Sequence, residues 1–470
     1  MYQADTIAAI ATGMTDSGIG IIRVSGRDAV VTCSRLFCTP SGGNILKDVD
    51  SHTFHYGYIV DRVQDPSDDW KDCIIDEVMA VVMKAPRSYT GEDTVEIQCH
   101  GGVLVMQKIL SAVIDAGARL AEPGEFSKRA FLNGKMDLSR AEAVMDVIHS
   151  QNEYALQSSM NQLKGRLSEK VRSLRKQIIY EIAYIESALD DPEHISLDGY
   201  DDRLSEKLDK ISEDLKKLIV SSENGKLIKE GINTVIVGKP NAGKSSLLNI
   251  LVGEERAIVT DIAGTTRDIL QETVKLHGIS LNITDTAGIR NTEDTVEKIG
   301  VEKALRYAEN ADLILYVVDT SVELDENDRK IISRLKDKKV IVLLNKSDLS
   351  MIVGEKDLKN VLPENARIIR TSIVDNSGID ELEEAVKDMF FQGQLKSSNE
   401  VVITNIRHKE VLQEAFNSLE LVRKSIEDSM PEDFYSIDLM NAYASLGRII
   451  GEEVDDDLVE EIFSKFCLGK

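Results

Sequence analysis

"GKPNAGKSS", Gly238 to Ser246, follows the β-branched run "TVIV" and opens "SSLLNILVG". It fits G-x-x-x-x-G-K-[ST] in the strand–loop–helix setting that gives that pattern its meaning. Glycine at Gly238 and Gly243 lets the backbone curl, so that N–H groups from Asn241, Ala242 and Gly243 face a β-phosphate. Lys244 brings a point charge to the β- and γ-phosphates, Ser245 offers a hydroxyl to Mg²⁺, and Ser246 continues the helix start. The stretch predicts a strand feeding a helix through an anion-binding loop, and so a parallel sheet flanked by helices.

Working outward, three elements narrow the ligand. "DTAG" (Asp285, Thr286, Ala287, Gly288) ends a strand, where a carboxylate reaches the magnesium shell and the Gly288 amide can sense a γ-phosphate. "GTT" (Gly264 to Thr266) sits where a switch loop brings a threonine hydroxyl to the same ion. "NKSD" (Asn345, Lys346, Ser347, Asp348) follows the strand "KKVIVLLN". Asp348 can accept from both N–H donors on guanine's edge, whereas adenine would leave that carboxylate unpaired. The order of these elements predicts a GTP-binding domain. Ser372-Ile373 stands where a base-closing loop supplies a backbone N–H, and Ser372 is assigned to the site.

The hydrolytic groups depart from the Ras-like pattern. Ile289 follows "DTAG" where a water-orienting glutamine is usual. Glu293, Asp294 and Glu297 are each candidates for that role, and they equally suit a solvated loop. Arg267 lies near the switch, and Asn241 offers an oxygen to a cation at the phosphates.

Around this core the chain shows three regimes. Residues 1–120 mix short β-branched runs ("GIGIIRVSG", "EVMAVVMKAP", "TVEIQCHGG") with glycine-rich turns, predicting an α+β domain. From 121 to 228 apolar residues recur at helical spacing, with "RAEAVMDVIHSQNEYALQSSMNQL" and "LSEKLDKISEDLKKLIVSS" as amphipathic helices. Strands alternate with helices over 229–388, and helical periodicity returns over 389–470. The fold class expected is multidomain α/β and α+β, with an α/β domain inserted in a discontinuous helical one. The 470 residues carry a net charge of −25, so a nucleic-acid partner would be held largely by a more basic protein. Five cysteines, an acidic start without a basic n-region and no apolar run of spanning length predict a cytoplasmic protein with reduced thiols and no membrane.

"NAGKSSLLN", "DIAGTTRD", "DTAGIR", "NKSD", "PGEFSKRAFLNGKMDLSRAEA" and the terminal "FCLGK" resemble the MnmE (TrmE) family of tRNA-modification GTPases along the whole chain. The resemblance implies an N-terminal folate-binding and dimerisation domain, a helical domain, and an inserted Ras-like P-loop G domain. It implies a homodimer and a heterotetramer with the FAD protein MnmG. Together they would add an aminomethyl or carboxymethylaminomethyl group to carbon five of a tRNA wobble uridine. The one-carbon unit would come from a 5,10-methylene- or 5-formyl-tetrahydrofolate bound by Arg23, Glu96, Lys135 and Lys470. K⁺ would be held by Asn241 and by backbone groups of Thr260, Ile262 and Thr265, and Mg²⁺ by Ser245 and Thr266. Glu297 would orient the water, so that Glu297, Lys244 and Cys467 carry the chemistry.

A regulatory or ribosome-assembly GTPase is the alternative, but it calls for a basic RNA-binding appendage that this acidic chain lacks. The terminal "CLGK", Cys467 to Lys470, fits a prenylation signal poorly because glycine and lysine fill its last two places. It is expected to fold back toward the folate pocket. Cys99-His100 is not expected to act as a dyad, because adjacent strand residues face opposite sides.

Overall fold

The computed structural model describes residues 5–61, 70–254, 271–276, 278–284, 307–335, 338–359, 361–363, 366–375, 377–391 and 401–470. It comprises two compact units. The first is built from Met1–Met145, Leu163–Gln177 and Tyr443–Lys470, the second from Asp146–Gln162 and Ile178–Ala442.

The first unit is organised on strands β1 (Ile7–Ile10), β2 (Ser17–Ser25), β3 (Phe37–Cys38), β4 (Thr53–Val60), β5 (Ile74–Met83), β6 (Thr94–Gly101) and β7 (Arg119–Leu120). Their order is β3-β4-β5-β6-β2-β1-β7, and only the β1–β7 pair is parallel among the pairings described. Period-two alternation decides the faces. In β6, Val95, Ile97 and Cys99 are buried, while His100 is exposed and bonds Asp76 at 2.7 Å. Cys99 and His100 therefore part company, as expected. Burial first, then the Asp76 carboxylate, push the Cys99 thiol up to about 11. Helices Ala29–Leu36 and Val103–Asp115 supply Cys33, Leu36, Met106 and Ile109 to the core against Ile22, Val24, Val95 and Ile97.

Beneath β1 sits a buried charge network. Arg129, 1% exposed on the helix Glu125–Leu132, donates to Asp5 Oδ1 at 2.8 Å, Glu125 Oε1 at 2.9 Å and Glu92 Oε2 at 3.1 Å. Arg119 adds a two-pronged pair to Glu125 at 2.9 and 2.6 Å. Burial raises the Asp5 and Glu125 carboxyls, but the two arginines outweigh it and leave both below their ordinary values. A lowered carboxyl stabilises the fold above the unfolded value and loses that contribution as pH falls through it. Unit stability should accordingly drop below about pH 4. Arg129→Met would leave Glu92 without its cation and Asp5 and Glu125 to Arg119 alone, and cost about 3–5 kcal/mol. An unchanged urea midpoint for that variant at neutral pH would show the network to be dispensable.

The second unit carries β8 (Ile232–Gly238), β9 (Gln271–Leu276), β10 (Ile279–Thr284), β11 (Leu313–Asp319), β12 (Val340–Asn345) and β13 (Arg367–Arg370), in the order β13-β12-β11-β8-β10-β9. The sheet is parallel except for β9, which pairs antiparallel with β10. The five strands expected to pair in parallel do so, and a tight turn at Gly278 (φ +91°) adds "QETVKL" as a sixth by making a hairpin with "ISLNIT". Apolar clusters cover both faces, one with Leu247, Leu251 and Leu382, the other with Ile331, Leu335 and Leu358. Helix Tyr200–Glu230 packs on Ile406–Glu427, with Leu204, Leu208, Ile211 and Leu215 buried at helical spacing.

The long amphipathic stretch expected over "RAEAVMDVIHSQNEYALQSSMNQL" forms two helices, Leu138–Ile148 and Glu153–Leu163. Asn152 causes the break. Its Oδ1 accepts the Ala155 N–H at 2.8 Å, a cap on the second helix, and its Nδ2 donates to Ile228 O at 3.0 Å and Ser280 Oγ at 3.1 Å.

Candidate nucleotide site and C-terminal tail site

The parallel strands of the second unit end on one edge, since Val317 lies opposite Gly238, Asp319 opposite Asn345, and Leu344 opposite Arg370. Loops leaving β8, β11, β12 and β13 therefore converge there, where open α/β sheets bind ligands. After β8 the backbone turns through left-handed conformations at Asn241 (φ +61°) and Gly243 (φ +102°) into the helix Lys244–Glu254. Glycine at Gly243 is a matter of space as well as φ, because a Cβ there would lie 2.2 Å from Asn345 Nδ2. That amide donates instead to Ala242 O at 2.7 Å and ties the base motif to the phosphate loop.

Lys244 Nζ donates to Gly238 O at 2.9 Å and Lys239 O at 2.6 Å, so the ammonium is held over the loop. Asn241, Ser245 and Ser246 are exposed and Ala242 is buried. After β12, Lys346 takes φ +62° and pairs with Asp319 Oδ2 at 2.5 Å, while Thr320 Oγ1 donates to Asn345 O at 2.9 Å. Asp348 is exposed, and the Ser372 hydroxyl bonds its Oδ1 at 3.0 Å. The Ser372 N–H itself points to Ser377 O at 3.3 Å. Ser372 thus meets Asp348 through its hydroxyl, while its own amide is engaged within its loop.

Asp319, Thr320 and Lys239 escaped the sequence reading, although the acidic end of "LILYVVD" is a signal that could have found the first. Thr260, Ile262, Thr265, Thr266, Arg267, Asp285, Thr286, Ala287, Gly288, Ile289, Glu293, Asp294 and Glu297 lie outside the described residues.

In the first unit, Arg23 on β2 stands opposite Glu96 on β6, and its Nε bonds Glu96 Oε1 at 2.8 Å. Both project from the face opposite the core by strand parity. The guanidinium also donates to Gly469 O at 3.1 Å and lies 5.5 Å from the Tyr89 ring centroid and 5.7 Å from that of Phe126. Lys470 Nζ sits 6.0 Å from the same Tyr89 centroid. Burial, then the charge of Arg23, hold the Lys470 ammonium below the usual lysine range.

Three of the four assigned residues, Arg23, Glu96 and Lys470, therefore meet around Tyr89. Lys135 is exposed, donates to Pro86 O at 2.9 Å and lies beside Gly91, in the loop that carries Tyr89. The tail is pinned by the Gly124 N–H on Cys467 O at 3.4 Å and by Gly469 (φ +87°), where a Cβ would lie 2.4 Å from Ile10 O. Cys467 is exposed. Tyr89 was missed, since "SYTGED" carried no signal for it, while Gly124 and Phe126 lie in the "PGEF" segment that the sequence singled out without a role for either.

A sheet with a phosphate loop after β8 and an Asn-Lys-Ser-Asp loop after β12, bridged by Asn345, defines a P-loop guanine-nucleotide-binding protein. Family models described as the GTP-binding protein TrmE N-terminus and the MnmE helical domain match residues 6–135 and 138–467. The chain belongs to the MnmE (TrmE) family. It is 57% identical over 468 residues to the tRNA modification GTPase MnmE of Lachnoclostridium phytofermentans, covering 100% of both chains. The tRNA modification GTPase MnmE of Acetivibrio thermocellus is 48% identical over 472 residues, again with 100% of both covered. Among solved structures, Aquifex aeolicus Era bound to GDP.AlF4- is 28% identical, with 40% of this chain and 67% of that chain covered and a TM-score of 0.27.

Proposed function

We propose that the chain is a potassium-stimulated tRNA-modification GTPase. In this reading it works with an FAD-dependent MnmG partner and a tetrahydrofolate to modify carbon five of a wobble uridine. At the coarser level it is a GTP hydrolase of tRNA modification, by membership of its family. The observation that carries this is the convergence of Lys244, Asn345 and Asp348 at one sheet edge, joined by the Asn345–Ala242 bond.

Lys244 neutralises phosphate charge, and Asp348, oriented by Ser372, selects guanine. Ser245 in the first helical turn is free to face a magnesium ion, and Asn241 is exposed at the loop's left-handed turn, where its amide oxygen suits potassium. Arg23, Lys470 and Glu96 around Tyr89 suit a flat heterocycle with an anionic tail, which is the chemistry of a folate. When bound, the folate would supply the one-carbon unit. Glu96 would accept from its amino-pyrimidine edge, and the cations would hold carboxylates. The domain limits 1–120, 121–228, 229–388 and 389–470, homodimerisation, a cytoplasmic location and tRNA held largely by MnmG belong to the same proposal. Among the described residues no helix is long and apolar enough to cross a membrane.

Turnover of GTP in potassium against sodium is the test. Activity should rise at least about tenfold in potassium, and Asn241→Ala should erase the difference. Equal rates in both salts would remove the cation mechanism.

A further inference from the structure

The side chain of Lys239, second in the phosphate loop, reaches across to the segment that follows β11. Its Nζ lies 2.6 Å from Asp328 Oδ2 and 3.4 Å from Asp325 Oδ2, and it donates to Glu323 O at 3.2 Å. An ammonium has three donors, and three acceptors surround this one. Asp328 is 1% exposed and fully engaged, with Oδ1 accepting the Tyr316 hydroxyl at 2.8 Å and Oδ2 accepting the Asp325 N–H at 3.0 Å. Tyr316 belongs to β11, beside β8, and is itself buried. The other end of Lys239 matters as much, since its carbonyl accepts Lys244 Nζ at 2.6 Å. A single residue therefore joins a buried acid to the lysine that meets the phosphates.

We infer that Lys239 is a positioning residue for GTP hydrolysis: its ion pair with Asp328 fixes the carbonyl that aims Lys244. This rests on the GTPase reading above and adds to it a part of the machinery outside the phosphate-binding groups. The last residue of β11 holds a second lysine by the same means, through the Asp319–Lys346 pair, so this strand end and the segment after it hold a lysine of both the phosphate and the base motifs. A brace of this kind acts on the geometry of Lys244, and small misplacements of a charge at a reacting centre are costly.

The test uses the full chain and reads kcat, KM for GTP and the melting temperature. Lys239→Met is expected to lower kcat/KM for GTP about 10- to 100-fold, and Lys239→Arg to recover most of it. Lys239→Met also leaves Asp328 buried and unpaired, so it is expected to melt earlier. Lys239→Met combined with Asp328→Asn removes both charges while keeping an acceptor for Tyr316. That double variant should melt later than Lys239→Met, though one amide oxygen cannot serve both Tyr316 and the Asp325 N–H, and stay defective in turnover, and it carries the test if the single variant does not fold. Wild-type turnover in the double variant would overturn the proposal by reducing the pair to a structural role. Turnover within twofold of wild type in Lys239→Met would also overturn it. No GTP hydrolysis by the wild-type chain would overturn the GTPase reading and this inference together, a result distinct from either of those.

Discussion

Asp348→Asn is expected to exchange guanine for xanthine. A carboxylate only accepts, and guanine offers two N–H groups on the edge that Asp348 meets. The Ser372 hydroxyl bond to Asp348 Oδ1 sets the carboxylate's orientation from the segment after β13, so the change alters chemistry and leaves position intact. Asparagine keeps one acceptor and turns the other into a donor facing a donor. Losing one charge-assisted bond and opposing two N–H groups should weaken GTP binding by about 100-fold or more. Xanthine carries a carbonyl where guanine carries its amino group, so the new donor finds an acceptor and binding of the xanthine nucleotide should strengthen. Titration of the full chain with both nucleotides measures this. Unchanged GTP affinity would place the base elsewhere.

The second large effect is expected at the tail. Removing Cys467 to Lys470 should abolish tRNA modification and leave GTP hydrolysis within about twofold, because the residues it deletes contact only the first unit in the bonds described. Arg23 would lose Gly469 O, and the pocket around Tyr89 would lose the Lys470 cation. Gly469→Ala tests docking with the chemistry kept. The added Cβ meets the Ile10 carbonyl at 2.4 Å at a φ of +87°, where side chains are strained. That variant should lose modification while Cys467 and Lys470 remain in the chain. Modified wobble uridine is read by mass spectrometry of tRNA, and GTP turnover by phosphate release. Joint loss of both activities would refute the separation of the two sites.

What the sequence revealed follows the reach of each interaction. Gly238 to Ser246 was legible because strand, loop and helix are local, and the bonds of Lys244 to Gly238 and Lys239 confirm a loop closed on itself. Asp348 was legible because a base motif needs one carboxylate at a strand end. Lys239 was not, since its partners Asp325 and Asp328 lie more than eighty residues away and belong to a capping box that reads as ordinary helix chemistry. The family resemblance named Arg23, Glu96 and Lys470, but the register opposing Arg23 to Glu96 and the aromatic floor of Tyr89 exist only in the fold. Periodicity overran the break at Asn152 because a capping bond weighs more than an apolar repeat at that point. The antiparallel β9 was missed because the polar "QETVKL" was not read as a strand, although the two residues before "ISLNIT" leave room only for a hairpin.

The seat of Gly469 on Ile10 has a consequence for biosynthesis. Ile10 leaves the ribosome more than four hundred residues before Gly469, its neighbour at that point. Until then the pocket around Tyr89 lacks Lys470 and the carbonyl that Arg23 grips. A nascent or C-terminally clipped chain can hold a complete phosphate loop while the contacts of Arg23 and Tyr89 with the tail are still missing. Synthesis order alone therefore makes the cluster around Arg23 and Tyr89 mature after the phosphate loop.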